Sequence, residues 1–87
     1  MYALVYTKQS TKDIPKLKSA KLDLHAQALL TVIQQNPYQI PPPYEKLKGN
    51  LNGAYSRRIN RKHRLVYEVH EDEKIVRVLS MWTHYEQ

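Results

Sequence analysis

The sequence predicts an α+β fold: an N-terminal strand and two helices, then a twisted antiparallel sheet. Three observations carry that expectation. Apolar side chains recur at helical spacing between residues 21 and 36. Two later runs, Arg64–His70 and Ile75–Trp82, are rich in strand formers and flank a polar tetrapeptide. The chain has 87 residues, enough for one core, so helices and strands must share it. Residues 1–87 are therefore expected to form one domain.

Tyr2–Thr7 is short, apolar and rich in strand formers, and reads as the first strand. It has no basic start and no signal-peptide layout. Ser10–Ser19 carries Ile14 and Leu17 at helical spacing, and Pro15 limits the regularity of that helix. Lys21–Asn36 is the clearest helix. Leu22, Ala26, Leu29, Leu30 and Ile33 form one stripe, and Asn36-Pro37 closes it. Pro37, Pro41, Pro42 and Pro43 crowd the next segment, and Pro41–Pro43 is expected to run as extended polyproline II that delivers Tyr44 and Glu45 stiffly to the surface. Gly49-Asn50-Leu51-Asn52-Gly53 supplies turn chemistry. Ala54–Ile59, Arg64–His70 and Ile75–Trp82 then read as strands. Glu71-Asp72-Glu73-Lys74 is the last turn, and consecutive hairpins imply antiparallel pairing.

Composition narrows the function. There is no cysteine, which excludes disulfides, thiolate metal sites and cysteine nucleophiles, and suits a reducing cytoplasm. No apolar run approaches the roughly 20 residues that span a bilayer, so no membrane association is expected. The formal net charge is +6, which favours a polyanionic partner, nucleic acid foremost, over a merely solvated basic surface. Seven tyrosines and no phenylalanine suit base stacking, though tyrosine also replaces phenylalanine in small cores. The strongest physical signal is the run Arg57, Arg58, Arg61, Lys62, His63 and Arg64. Alternate members of it would line one face of a hairpin and bind phosphates in a salt-dependent manner.

Phosphodiester cleavage through a ribose 2′-OH needs a base, a cation for the phosphate oxygens and an acid for the leaving oxygen. Glu45, Arg64, His84 and Tyr85 are the right residue types. Each also has a bland reading: an exposed acid, a solvated basic face, side chains near a terminus. His25, His63, His70 and His84 are scattered without ligand spacing, so neither a metal nor another cofactor is expected.

From Glu45 to Ile59 the chain reads EKLKGNLNGAYSRRI, continues with His63-Arg64-Leu65-Val66-Tyr67, and ends near His84-Tyr85. In these motifs it resembles the YoeB/Txe branch of the RelE superfamily. The resemblance covers about the last 45 residues well and the first half in layout. It implies a RelE-like, microbial-RNase-like fold and the toxin of a type II toxin-antitoxin system. It also implies a metal-independent, ribosome-dependent endoribonuclease that cleaves mRNA, held inactive by a YefM-like antitoxin, and favours a homodimer. By matching position, Glu45 is the general base, His84 the general acid, Arg64 the cation of the transition state and Tyr85 a positioning residue. Lys48 and Arg58 contact phosphate, and Arg57, Arg61 and Lys62 join them through the basic run. Thr83 stands where the family has an aromatic residue, and Glu86-Gln87 follow Tyr85. The competing readings are a non-catalytic basic module that binds RNA or the ribosome, and a ParE-like gyrase inhibitor. Glu45 and His84 argue against both, since phosphate binding alone needs neither.

Overall fold

The computed structural model describes residues 1–49 and 53–84. Its elements follow the order β1 (Ala3–Tyr6), α1 (Lys8–Ser19), α2 (Asp23–Gln35), β2 (Glu45–Lys46), β3 (Ala54–Arg58), β4 (His63–His70) and β5 (Ile75–His84). The five strands form one sheet in the order β1-β5-β4-β3-β2. The β2–β3, β3–β4 and β4–β5 pairs are antiparallel as expected, whereas β1 lies parallel to β5, with Ala3 opposite Ile75 and Tyr6 opposite Val78. The parallel pairing is possible because both helices lie between β1 and the rest of the sheet in sequence, long enough for a crossover.

Local chemistry fixes both ends of α1. Thr7 caps α1: its hydroxyl oxygen accepts from the Ser10 amide at 3.1 Å and its hydroxyl donates to the Leu79 carbonyl at 2.9 Å, tying the cap to β5. The helix runs through Pro15, which cannot donate to the carbonyl four residues before it. Its end is a Schellman turn without glycine. Lys21 takes φ +60°, its amide donates to the Lys18 carbonyl, and the Leu22 amide donates to the Leu17 carbonyl. The second helix therefore starts at Asp23 rather than Lys21.

The predicted stripe of α2 is the core. Ala26, Leu29, Leu30 and Ile33 are buried, and with Leu17 they meet Ile59, Leu65, Tyr67, Val76, Val78 and Met81 of the sheet. Among the described residues no helix is long and apolar enough to cross a membrane.

Two segments depart from regular structure, and both lead toward the motifs of the C-terminal half. Residues 40–42 bend, and the Ile40–Pro41 and Pro41–Pro42 peptide bonds are cis, so the expected polyproline II segment is not formed. In β5 the pairs run Arg64 with Thr83, Val66 with Ser80 and Tyr67 with Val78, so β5 carries extra residues at two irregularities. Gly49 and Gly53 both have positive φ, and residues 50–52 between them, where the sequence predicts turn chemistry, lie outside the described residues.

Candidate active site

Pairing parity assembles the site. Residues directly opposite on neighbouring strands share a sheet face. Glu45 pairs with Ser56 and Arg58 with Arg64, and Ser56 and Arg58 are two apart on β3. All four therefore lie on one face, and with Pro43 and Tyr44 they line a depression of about 70 Å³. Arg64 is buried, and its Nη1 donates to Glu45 Oε1 at 2.5 Å and to Ser56 Oγ at 3.1 Å. The Glu45 side chain is 62% exposed. A buried guanidinium thus aims an accessible carboxylate at solvent, with Ser56 fixing the fork from behind. Ser56 was not singled out from the sequence. Its signal is parity with Arg58 on a strand whose partner begins at Glu45.

Arg61 and Lys62 are exposed at the tip of the β3–β4 hairpin. Asn60 shapes that tip, its Oδ1 accepting from the Lys62 and His63 amides at 2.9 and 2.7 Å. Because Arg58↔Arg64 is the last pair before the tip, these cations adjoin the depression. Lys48 is exposed two residues beyond β2. His84 ends β5 with its backbone opposite His63, one step beyond the Arg64↔Thr83 pair. Its side chain, and the whole of Tyr85, lie outside the described residues.

Arg57 corrects the sequence expectation. It is fully buried and offers nothing to a phosphate. Its Nε donates to Tyr67 Oη at 3.0 Å, its Nη2 to the Pro37 and Gln39 carbonyls at 3.0 and 2.9 Å, and its Nη1 to the Pro42 carbonyl. Burial pushes the Tyr67 phenol up, so its proton is retained and donated to the Pro37 carbonyl at 2.7 Å. The Tyr44 ring centroid lies 5.0 Å from the guanidinium carbon. Arg57 is the post around which the proline strap folds, and the strap ends at Glu45. The strap is also tied at Tyr38, which donates to Glu71. That bond first, then the one from Lys74, holds the Glu71 carboxyl below its ordinary range. Its contribution is present at neutral pH and is lost as pH falls through the lowered value.

Removing the post should be felt as stability. Arg57→Met leaves the Gln39 and Pro42 carbonyls without the guanidinium and Pro37 with Tyr67 alone, and is expected to lose about 2–4 kcal/mol. That corresponds to a fall in Tm of roughly 10 °C or more for a domain of this size. Arg58→Met, on the exposed face, should stay within about 0.5 kcal/mol. Equal melting of the two variants would contradict this division of roles.

On the far side of the sheet Asp13 does a comparable job. Buried on α1, it accepts from the Met81 amide at 2.9 Å and from Gln9 Nε2 at 3.0 Å, satisfying backbone that the β5 irregularity leaves out of the ladder. It anchors the part of β5 that leads to Thr83 and His84. Among the described residues, no three His, Cys, Asp or Glu side chains converge as metal ligands would.

A family model described as the YoeB-like toxin of bacterial type II toxin-antitoxin systems matches residues 6–85. Toxin YoeB of Synechocystis sp. is 37% identical over 59 residues, which cover 68% of this chain and 66% of that protein. The chain thus spans about half to two thirds of the length of the curated relatives it matches. Among solved structures, the YoeB/ParE toxin from Agrobacterium tumefaciens superposes with a TM-score of 0.85 at 29% identity, covering 95% of this chain and 99% of that one. YoeB of Staphylococcus aureus, solved as a heterotetrameric complex with YefM, gives 0.80 at 33% identity over 98% and 99% of the two chains. Solved as a dimer, it gives 0.78 at 34% over 97% and 98%.

Proposed function

The chain belongs to the YoeB-like toxin family of bacterial type II toxin-antitoxin systems, and on that premise we propose that it is a ribosome-dependent endoribonuclease that cleaves mRNA without a metal. The observation that carries this reading is the exposed Glu45 carboxylate held by buried Arg64, with Ser56 and Arg58 on the same face. A phosphate-binding patch needs cations only. An acid fixed among them competes with the phosphate for the same guanidinium, and that arrangement makes sense where a base is needed.

In the proposed reaction the Glu45 carboxylate takes the proton of the ribose 2′-OH. The 2′ oxygen attacks the adjacent phosphorus, and Arg64 and Arg58 stabilise the charge that builds on the non-bridging oxygens. His84 gives its proton to the 5′ oxygen as the phosphorus–oxygen bond breaks, leaving a 2′,3′-cyclic phosphate and a 5′-OH. Tyr85 positions the substrate. Lys48, Arg61 and Lys62 hold flanking phosphates. The whole chain acts as one toxin domain. Its inhibitor is a YefM-like antitoxin, whose acidic, partly disordered segment suits a +6 surface, and its working place is the cytoplasm.

Arg64→Lys tests the reading. Lysine keeps the charge but loses the planar fork, so cleavage should fall by roughly 10- to 1000-fold, about 1.4–4 kcal/mol of transition-state stabilisation. Ribosome binding should change much less. A variant that binds ribosomes tenfold more weakly, yet cuts normally once bound, would reduce Arg64 to a docking charge.

A further inference from the structure

We propose that Lys16 and Trp82 form a second subsite for single-stranded RNA, in which a base stacks against the indole and Lys16 takes the neighbouring phosphate. Two depressions lie between α1 and β5, of about 460 and 230 Å³, and both are walled by Lys16 and Trp82. The first is completed by Pro15, Ser19 and Ala20, the second by Gln9, Asp13, Ser80 and Thr83. Trp82 is only partly buried. One face of its indole stacks on buried His63, with centroids 3.8 Å apart and rings 20° from parallel. The platform is therefore already rigid, and the surface left over faces the depressions. Base–aromatic stacking beside a basic groove is how proteins hold single strands without reading sequence.

The charge on the other wall points the same way. Helix α1 carries Lys8, Lys12 and Lys16 at four-residue spacing, all exposed, and has no acidic residue in its first turn. Like charges at this spacing repel, and Lys8 stands at the positive end of the helix dipole, whereas Lys16 lies in the last turn, where the dipole favours a cation. A polyanion relieves that repulsion. Asp13 does not cancel it: the carboxylate is buried, receives the Met81 amide and Gln9, and lies 3.8 Å from Lys16, whose side chain stays 50% exposed. An acidic peptide would satisfy the lysines but makes no special use of a stacked indole, so the pairing favours RNA. Thr83, a wall of the second depression, is the register partner of Arg64. The subsite and the Glu45–Arg64 site are thus linked through one register pair of the neighbouring strands β4 and β5.

Trp82 is the sole tryptophan of the chain, so its fluorescence reports on this subsite. The full-length Glu45→Gln protein is titrated with a short single-stranded oligouridylate. Tryptophan emission and the anisotropy of an end label on the RNA are followed together. Saturable quenching with the same midpoint as the anisotropy change is expected. Lys16→Ala should flatten the dependence of log Kd on log salt by about 0.7, the value for one lost phosphate contact on a single strand. Trp82→Leu should weaken binding by roughly five- to a hundredfold. If that variant does not fold, quenching and the Lys16→Ala slope decide. Anisotropy rising without quenching, an unchanged slope, or tighter quenching by an oligoglutamate peptide would each overturn the proposal. Binding is read without turnover, so a failure of the cleavage reading and a failure of this subsite are separate results.

Discussion

Glu45→Gln is expected to lower mRNA cleavage by roughly 10²–10⁴-fold, the usual contribution of a positioned general base. Glutamine keeps the length of the side chain and an oxygen for Arg64 Nη1, so the geometry around Ser56 should persist. The side chain is 62% exposed, and melting should move by no more than about 0.5 kcal/mol. The effect on binding has a distinctive sign. The carboxylate competes with phosphate for Arg64, so losing its charge should leave RNA affinity unchanged or tighter, whereas losing a cation weakens it. Ribosome pelting assays and single-turnover cleavage separate the two. Normal cleavage by Glu45→Gln would remove Glu45 from the chemistry and leave a basic binding face.

His84→Gln is expected to cut the rate by a similar factor, roughly 10²–10⁴-fold, with fold and ribosome affinity retained. The 5′ alkoxide is a strong base and leaves poorly without a proton, which a positioned imidazolium supplies. A substrate with sulfur in place of the 5′-bridging oxygen distinguishes this role from positioning. A thiolate leaves unprotonated, so the defect of His84→Gln should largely vanish on it. A variant equally impaired on the sulfur substrate would assign His84 to phosphate positioning and make Tyr85 or a ribosomal group the better proton donor.

Much of the architecture was legible because it rests on periodicity. The stripe of α2 and the two C-terminal hairpins follow from spacing alone, and the polar stretch Glu71–Lys74 turns where its residues predict. What escaped depends on partners remote in sequence. Nothing in Ala3–Tyr6 says that its neighbour is β5 or that the pairing is parallel. The two-residue β2 is too short to carry a pattern, and it forms because β3 offers it an edge.

Arg57 shows how a composition signal misleads and how parity repairs it. In the basic run it looks like its neighbours. Along β3, however, it follows Tyr55 by two and precedes Ile59 by two, which places it on the apolar face, while Arg58 shares the other face with Arg64. Burial of that arginine depends on three carbonyls of the proline strap, brought from 15 to 20 residues away, and no local rule supplies them. Within the candidate site, the family resemblance drew Glu45 and Arg64 together, and the fold pairs them; Ser56 emerged only from the strand register. His84 and Tyr85 rest on the resemblance alone.

The chemistry of the cut ends tests the central claim most directly. Purified toxin is added to a translation extract, the cleaved mRNA is recovered, and its new 5′ ends are assayed for a kinase-accessible hydroxyl. Attack by the 2′-OH with Glu45 as base predicts 5′-OH ends and 2′,3′-cyclic or 3′-phosphate ends, lost together in Glu45→Gln. Fragments carrying 5′-phosphate would require an attacking water and would contradict the account.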